Sequence, residues 1–174
     1  HSSNLTEYED FGFVNDYLND NEGNTWIALN QNKNNDESLF LLKNGKLNSY
    51  NNLLNIKSNN ILSLEIDSKE DLIWIGTENG LNKFNDSTNI FKFFKKNPED
   101  PKTLSNNFIS VIYQDSYGIL WVGTGDYEII GGGLNKFDED TKSFIRYSEM
   151  GKFPNDAIYG ILEDNSQNLW ISSD

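Results

Sequence analysis

Four tryptophans fall at positions 26, 74, 121 and 170, separated by 48, 47 and 49 residues. The surroundings repeat with them. The segment 72–84 reads LIWIGTENGLNKF. Its elements return as LWVGT at 120–124 followed by GLNKF at 133–137, in part as LWISS at 169–173, and faintly as TWIAL at 25–29. Each tryptophan is approached in the same way, through an apolar run that ends in Asp, a short polar turn, and then the tryptophan strand. The runs are Phe13 to Asp20, Ile61 to Asp67, Ile109 to Asp115 and Ile158 to Asp164, and the Asp-to-Trp distances are 6, 7, 6 and 6 residues. A period near 47 residues limits the chain to repeat architectures. Short β-branched and aromatic runs punctuated by Gly, Asn and Asp exclude the helical ones, which need amphipathic helical periodicity. The fold class that remains is all-β, a β-propeller segment built from four-stranded blades.

Strands are expected near 12–18, 25–29, 38–43 and 46–53 in a first blade, and near 61–67, 72–77, 80–85 and 90–95 in a second. The third blade is expected at 108–115, 119–124, 133–138 and 143–147, and a final half blade at 157–164 and 168–173. This divides the chain into a lead-in (1–10), blades at 11–55, 56–97 and 98–153, and a truncated half blade at 154–174. Asn44-Gly45 and Asn79-Gly80 have the chemistry of tight hairpin turns, because Asn and Gly tolerate positive φ. Three and a half blades leave a ring open with apolar faces uncovered. The expectation is therefore a segment of a longer protein whose remaining blades are its partners, with self-association through open blade edges as a consequence. His1-Ser2-Ser3 reads as the remnant of an affinity tag.

The segments 107–115 (NFISVIYQD), 118–124 (GILWVGT) and 133–138 (GLNKFD), with 97–106 (NPEDPKTLSN) before them, resemble the two-component regulator propeller repeat and its inter-blade linker. The resemblance covers about residues 11–174. It is weakest in the first unit, where Ala28-Leu29 replaces Gly-Thr. It implies a ligand-sensing or binding module from the extracytoplasmic, periplasmic or cell-surface, part of a membrane receptor with a histidine-kinase-type output, and no catalysis in this segment. The alternatives are a carbohydrate-active enzyme or carbohydrate-binding module, and a protein-interaction scaffold.

Composition removes several other functions. There are no cysteines, and the net charge of −13 opposes nucleic acid and anionic membrane surfaces. No apolar run is long enough to span a bilayer, so no membrane contact is expected of this segment. None of the Asp turns at 20–24, 67–71 and 164–168 has all of the alternating ligands, central Gly and terminal Glu of a calcium loop. They read better as strand ends whose carboxylate accepts turn amides, and no metal or cofactor is expected. Asp115, Gly118 and Trp121 are one residue too widely spaced for the Asp box of sialidase-type propellers. Gly131-Gly132-Gly133 lacks the Lys and the following helix of a phosphate loop and reads as a flexible hairpin base. The tryptophans, at one strand position throughout, are expected to fill the space between blades.

Both long insertions, Asn30 to Glu37 and Gly125 to Gly132, join second to third strands, so strand alternation gathers them with the linker 97–107 on one face of the ring. Function usually sits on variable loops carried by a rigid scaffold. Asp126, Tyr127 and Glu128 are the candidate ligand-binding residues there, Tyr127 as a stacking surface and the two carboxylates as acceptors for the hydroxyls of a glycan or other small molecule.

Overall fold

The computed structural model describes residues 13–30, 37–50, 60–70, 72–85, 88, 90–126, 129–147 and 156–173. The lead-in 1–10 and the loop 31–36 lie outside them. The strands are β1 (Val14–Asn19), β2 (Thr25–Leu29), β3 (Leu39–Lys43), β4 (Lys46–Ser49), β5 (Ile61–Asp67), β6 (Leu72–Thr77), β7 (Gly80–Asn85), β8 (Ile90–Phe94), β9 (Ile109–Gln114), β10 (Leu120–Asp126), β11 (Ile129–Asp138), β12 (Ser143–Arg146), β13 (Ile158–Glu163) and β14 (Leu169–Ser173). They form three four-stranded antiparallel meanders, β1–β4, β5–β8 and β9–β12, and a hairpin, β13–β14. Successive first strands lie side by side, β1 by β5, β5 by β9 and β9 by β13. The chain is an all-β propeller arc, with the Asp-terminated strands innermost.

The core sits between sheets, at three junctions. Trp26 packs with Ile61, Leu64 and Phe84. Trp74 packs with Ile109, Ile112 and Phe137, and Trp121 with Ile158 and Ile161. Each of these three tryptophans therefore covers the first strand of the following blade. Three of the four are buried, whereas Trp170 is 65% exposed. The Gly of the WIGT and WVGT motifs has a steric cause: a Cβ on Gly76 would lie 2.8 Å from Ile109 Cγ2, and one on Gly123 would lie 2.8 Å from Ile158 Cβ. The next blade's first strand passes where a side chain would be. Thr77 and Thr124 hydroxyls donate across their hairpins to the carbonyls of Gly80 and Gly133. Asn82 and Asn135 amides donate to Ile75 and Val122 carbonyls. The repeated GT and GLNKF strings are thus the internal fastenings of a blade.

The Asn44-Gly45 turn has positive φ at both residues, 53° and 73°, as a primed hairpin turn requires. Residues 125–126 and 129–132 continue the ladder of the β10–β11 hairpin, with Asp126 paired to Ile129 beyond a register shift. Glycine makes this possible, because a Cβ on Gly132 would meet the Thr124 carbonyl oxygen at 2.3 Å.

Candidate functional site

The Asp turns close one side of the arc, three of them with the same pair of amide bonds, while Asp67 Oδ1 accepts the amides of Lys69 and Glu70. Asp20 Oδ1 accepts the amides of Glu22 and Asn24, Asp115 Oδ1 those of Tyr117 and Ile119, and Asp164 Oδ1 those of Ser166 and Asn168. The other carboxylate oxygen accepts the indole N–H of the blade's tryptophan. The distances are 3.3 Å from Trp26, 3.3 Å from Trp74, 2.8 Å from Trp121 and 2.9 Å from Trp170. This bond is the reason for the fixed Asp-to-Trp spacing. The spacing itself was the signal, although turn capping alone did not reveal the indole partner. Desolvation would raise the Asp20 and Asp67 pKa values, but the turn amides and indoles, with Lys83 beside Asp67, outweigh it and hold both low. Asp164 is lowered to about 2, first by the Asn168 side chain and then by Trp170.

Between blades 2 and 3, on this Asp-turn side, opens a crevice of about 350 Å³ lined by Lys69, Gln114, Ile119, Lys136 and Asp138. A second groove of about 310 Å³ runs along Leu72, Ile90, Lys92, Phe94 and Lys142. Glu70 and Phe137 line both. Lys83, buried at the floor of the second groove, holds Glu70 at 2.8 Å, Asp67 at 3.6 Å and Glu139 at 3.8 Å. Its ammonium also sits 4.7 Å from the Trp74 ring centroid. Lys69 reaches across to the Gly118 carbonyl at 3.1 Å, tying the two turns together. No sequence pattern announced the crevice, because its residues come from turns and strand ends of two repeats.

On the opposite side, the linker packs against the end of the β10–β11 hairpin. Gly125 N donates to Phe108 O, Ser105 Oγ and Thr124 Oγ1 are 2.8 Å apart, and Ser105 N donates to Asn135 Oδ1. Arg146 pins the linker from β12 by donating to the Thr103 and Asp100 carbonyls. Asp126 is half-buried at this end. Tyr127 and Glu128 lie outside the described residues, so of the three candidates only Asp126 is described. Among the described residues no group of three metal-ligating side chains occurs.

A half-buried acid lies elsewhere. Glu65 on β5 faces blade 3, where burial pushes its pKa up to about 7, with the Asp16 charge adding to the rise and the Gln114 and Ile66 amides opposing it.

The model of the two component regulator propeller family matches residues 103–126 and 152–174. The fold is similar to the extracellular domain of BT3049 from B. thetaiotaomicron, described as a hybrid two-component system. The TM-score is 0.75 and the identity 24%, over 92% of this chain and 22% of that one. A second B. thetaiotaomicron extracellular domain, that of BT4673, gives 0.54 and 21% over 92% of this chain and 27% of that one. An auxiliary nutrient binding protein from the same organism gives 0.54 and 13% over 76% and 30%. The chain thus spans less than a third of the length of each of these structures. No curated protein matches it.

Proposed function

Because this chain carries two component regulator propeller repeats, we propose that it is a ligand-sensing or binding module of an extracytoplasmic signalling receptor. It is non-catalytic itself and feeds a histidine-kinase-type output. The similarity to extracellular domains of two-component systems supports the location and the role, and the likeness to a nutrient binding protein supports a small-molecule ligand. Binding shifts the balance between arrangements of the receptor by as much as the ligand's affinities for them differ.

The ligand, a glycan fragment, meets the face that carries the β10–β11 extension and the linker, at Asp126, Tyr127 and Glu128. The observation that carries this is the fastening of the extension to the linker through Gly125, Ser105 and Asn135, which gives a variable segment a rigid base. The test replaces 125–132 with the Glu-Asn-Gly turn of blade 2 and titrates the intact receptor with a panel of glycan fragments. A loss of binding of at least about tenfold, roughly 1.4 kcal/mol, is expected, and unchanged affinity removes the site.

The crevice between blades 2 and 3 favours a second reading, in which the ligand enters beside Lys136 and Ile119. A Lys136→Glu variant that loses binding while the shortened hairpin keeps it would move the site there. Turnover of any glycan in the same panel would favour an enzyme over a sensor.

A further inference from the structure

Residues directly opposed on antiparallel strands share a face of the sheet. In each blade the forward face, the one turned toward the following blade, carries the tryptophan. In blade 2 that face holds Trp74, Lys83 and Lys92 in one row and Asn85 opposite Ile90 in the next row outward from the turn of β7–β8. The matching rows of blade 1 are Trp26, Leu41 and Asn48, then Lys43 opposite Lys46. Those of blade 3 are Trp121, Lys136 and Ile145, then Asp138 opposite Ser143. Blade 2 departs from both at its outer strand. Where the others have Lys46 and Ser143 it has Ile90, which is 56% exposed. Where they have Asn48 and Ile145 it has Lys92, directly across from Lys83.

Both departures are locally unfavourable. Like charges directly opposite on neighbouring strands destabilise the pair, and an exposed isoleucine keeps apolar surface in water. Lys83 is compensated by Glu70 at 2.8 Å, Asp67 at 3.6 Å and Glu139 at 3.8 Å. Lys142, arriving from blade 3, pairs with Glu139. Lys92 makes no ion pair among the described residues. The two departures meet in one place, the groove of about 310 Å³ that Leu72, Phe94, Phe137 and Lys142 also line. Phe94 and Phe137 stand edge to face there, with ring centroids 5.6 Å apart. Both walls belong to sheets with all four strands, so neither depends on a further blade.

We infer that this groove binds a small monocarboxylate with an apolar body, its carboxylate on Lys92 and its body against Ile90, Leu72 and Phe94. The charge of the ligand follows from the pairing. Glu70 answers Lys83 and Glu139 answers Lys142, which leaves one ammonium over, and a single negative charge matches it. A phosphate dianion would bring a surplus charge beside Glu70. The body follows from the walls, and the volume lies at the small end of the roughly 300–1,000 Å³ of ligand sites. A bound acid of this kind relieves both departures at once. The site is separate from the glycan face at the β10–β11 extension, and its test uses no glycan.

The experiment is an NMR titration of the protein with indole-3-acetate to about 5 mM, which reaches the millimolar constants of ligands this small. Saturable shifts are expected at the Ile90 methyls and at the Leu72 and Lys92 amides. Indole-3-acetamide, which has the body without the charge, should bind at least about tenfold more weakly, and so should acetate, which has the charge without the body. Lys92 and Ile90 are exposed, so Lys92→Gln and Ile90→Ser should keep the wild-type circular dichroism. Lys92→Gln should bring the acid down to the level of the amide. Ile90→Ser, which installs the residue type that blade 3 carries in that row, should weaken the acid roughly fivefold by removing apolar contact. No saturable shift at Ile90 by about 5 mM overturns the inference, as do shifts confined to other exposed apolar residues such as Leu162 and Trp170. So does an amide that binds as tightly as the acid, or a Lys92→Gln variant that binds the acid like wild type.

Discussion

Trp74 and Trp170 occupy the same place in the same repeat, and each donates its indole N–H to the Asp that ends the preceding strand. One is fully buried and the other is 65% exposed. The bond to Asp is thus internal to a blade, while burial comes from the neighbour: Trp74 is covered by Ile109, Ile112 and Phe137 of the next sheet. In this architecture the local fastening and the hydrophobic stabilisation come from different parts of the chain, as in repeat proteins whose stability sums intrinsic and nearest-neighbour contributions.

The sharpest way to break the comparison is to truncate both tryptophans. Trp74→Ala should destabilise the fold by about 3–5 kcal/mol, the usual cost of removing a large buried aromatic. Trp170→Ala should cost under about 1 kcal/mol, as at exposed positions. Urea denaturation, followed by circular dichroism at a concentration where the protein is monomeric, measures both. Equal losses would mean that the Asp–Trp bond, and not burial, holds the tryptophan strand.

A smaller effect is expected at the glycine two residues after the tryptophan. Gly123→Ala places a methyl against Ile158 and Val111 and should cost about 1–3 kcal/mol by overpacking. Ser172→Ala, at the equivalent position of the uncovered hairpin, should stay within about 0.5 kcal/mol. A tolerated Gly123→Ala would show that the junction can open to admit a side chain.

Glu65 gives the comparison a pH axis. Its folded pKa, about 7, lies above its ordinary value of 4.5, so the folded state binds the proton more tightly than the unfolded chain. The stabilisation is fully present below about pH 4.5 and is lost as pH rises through about 7. Glu65→Gln should remove that dependence and raise stability at pH 8 relative to wild type, by roughly 1–2 kcal/mol. The full shift corresponds to more, and residual solvent access discounts it. Denaturation midpoints at pH 5 and pH 8 decide it; identical slopes for the two proteins would take Glu65 out of the junction. The smallest change is expected at Asp164, whose pKa of about 2 should rise toward the ordinary range in Trp170→Phe. A carboxyl titration by NMR reads this directly.

The blades were legible in the sequence because their fastenings use one residue type at one place: Asp before the turn, Trp after it, then Gly-Thr and Gly-Leu-Asn-Lys-Phe. The junctions were only half legible. Their apolar side repeats as Ile or Leu, but the forward-facing polar side is Asp16, then Ser63, then Val111, then Gly160. Of these only Asp16 and Ser63 accept an amide of the next blade, so no pattern recurs to be read. The exposure of Trp170 follows from its place on the half blade at 154–174 and not from its motif, which matches those of its buried counterparts. At the candidate site, Gly131 to Gly133 carried the signature of a flexible base. The continued ladder depends on a close approach to the Thr124 carbonyl that no local pattern encodes.

The amide of Leu64 has an unusual status among strand amides, since it donates to the Asp16 carboxylate of the neighbouring sheet. An amide bonded within its own sheet exchanges with solvent only when that ladder opens, whereas this one is released when blades 1 and 2 part, even with every ladder intact. Ile112, held by Ser63, stands in the same relation to blades 2 and 3. Two protons in the protein therefore clock the parting of blades separately from the unfolding of any sheet, and the difference between their exchange rates ranks the two seams in order of weakness.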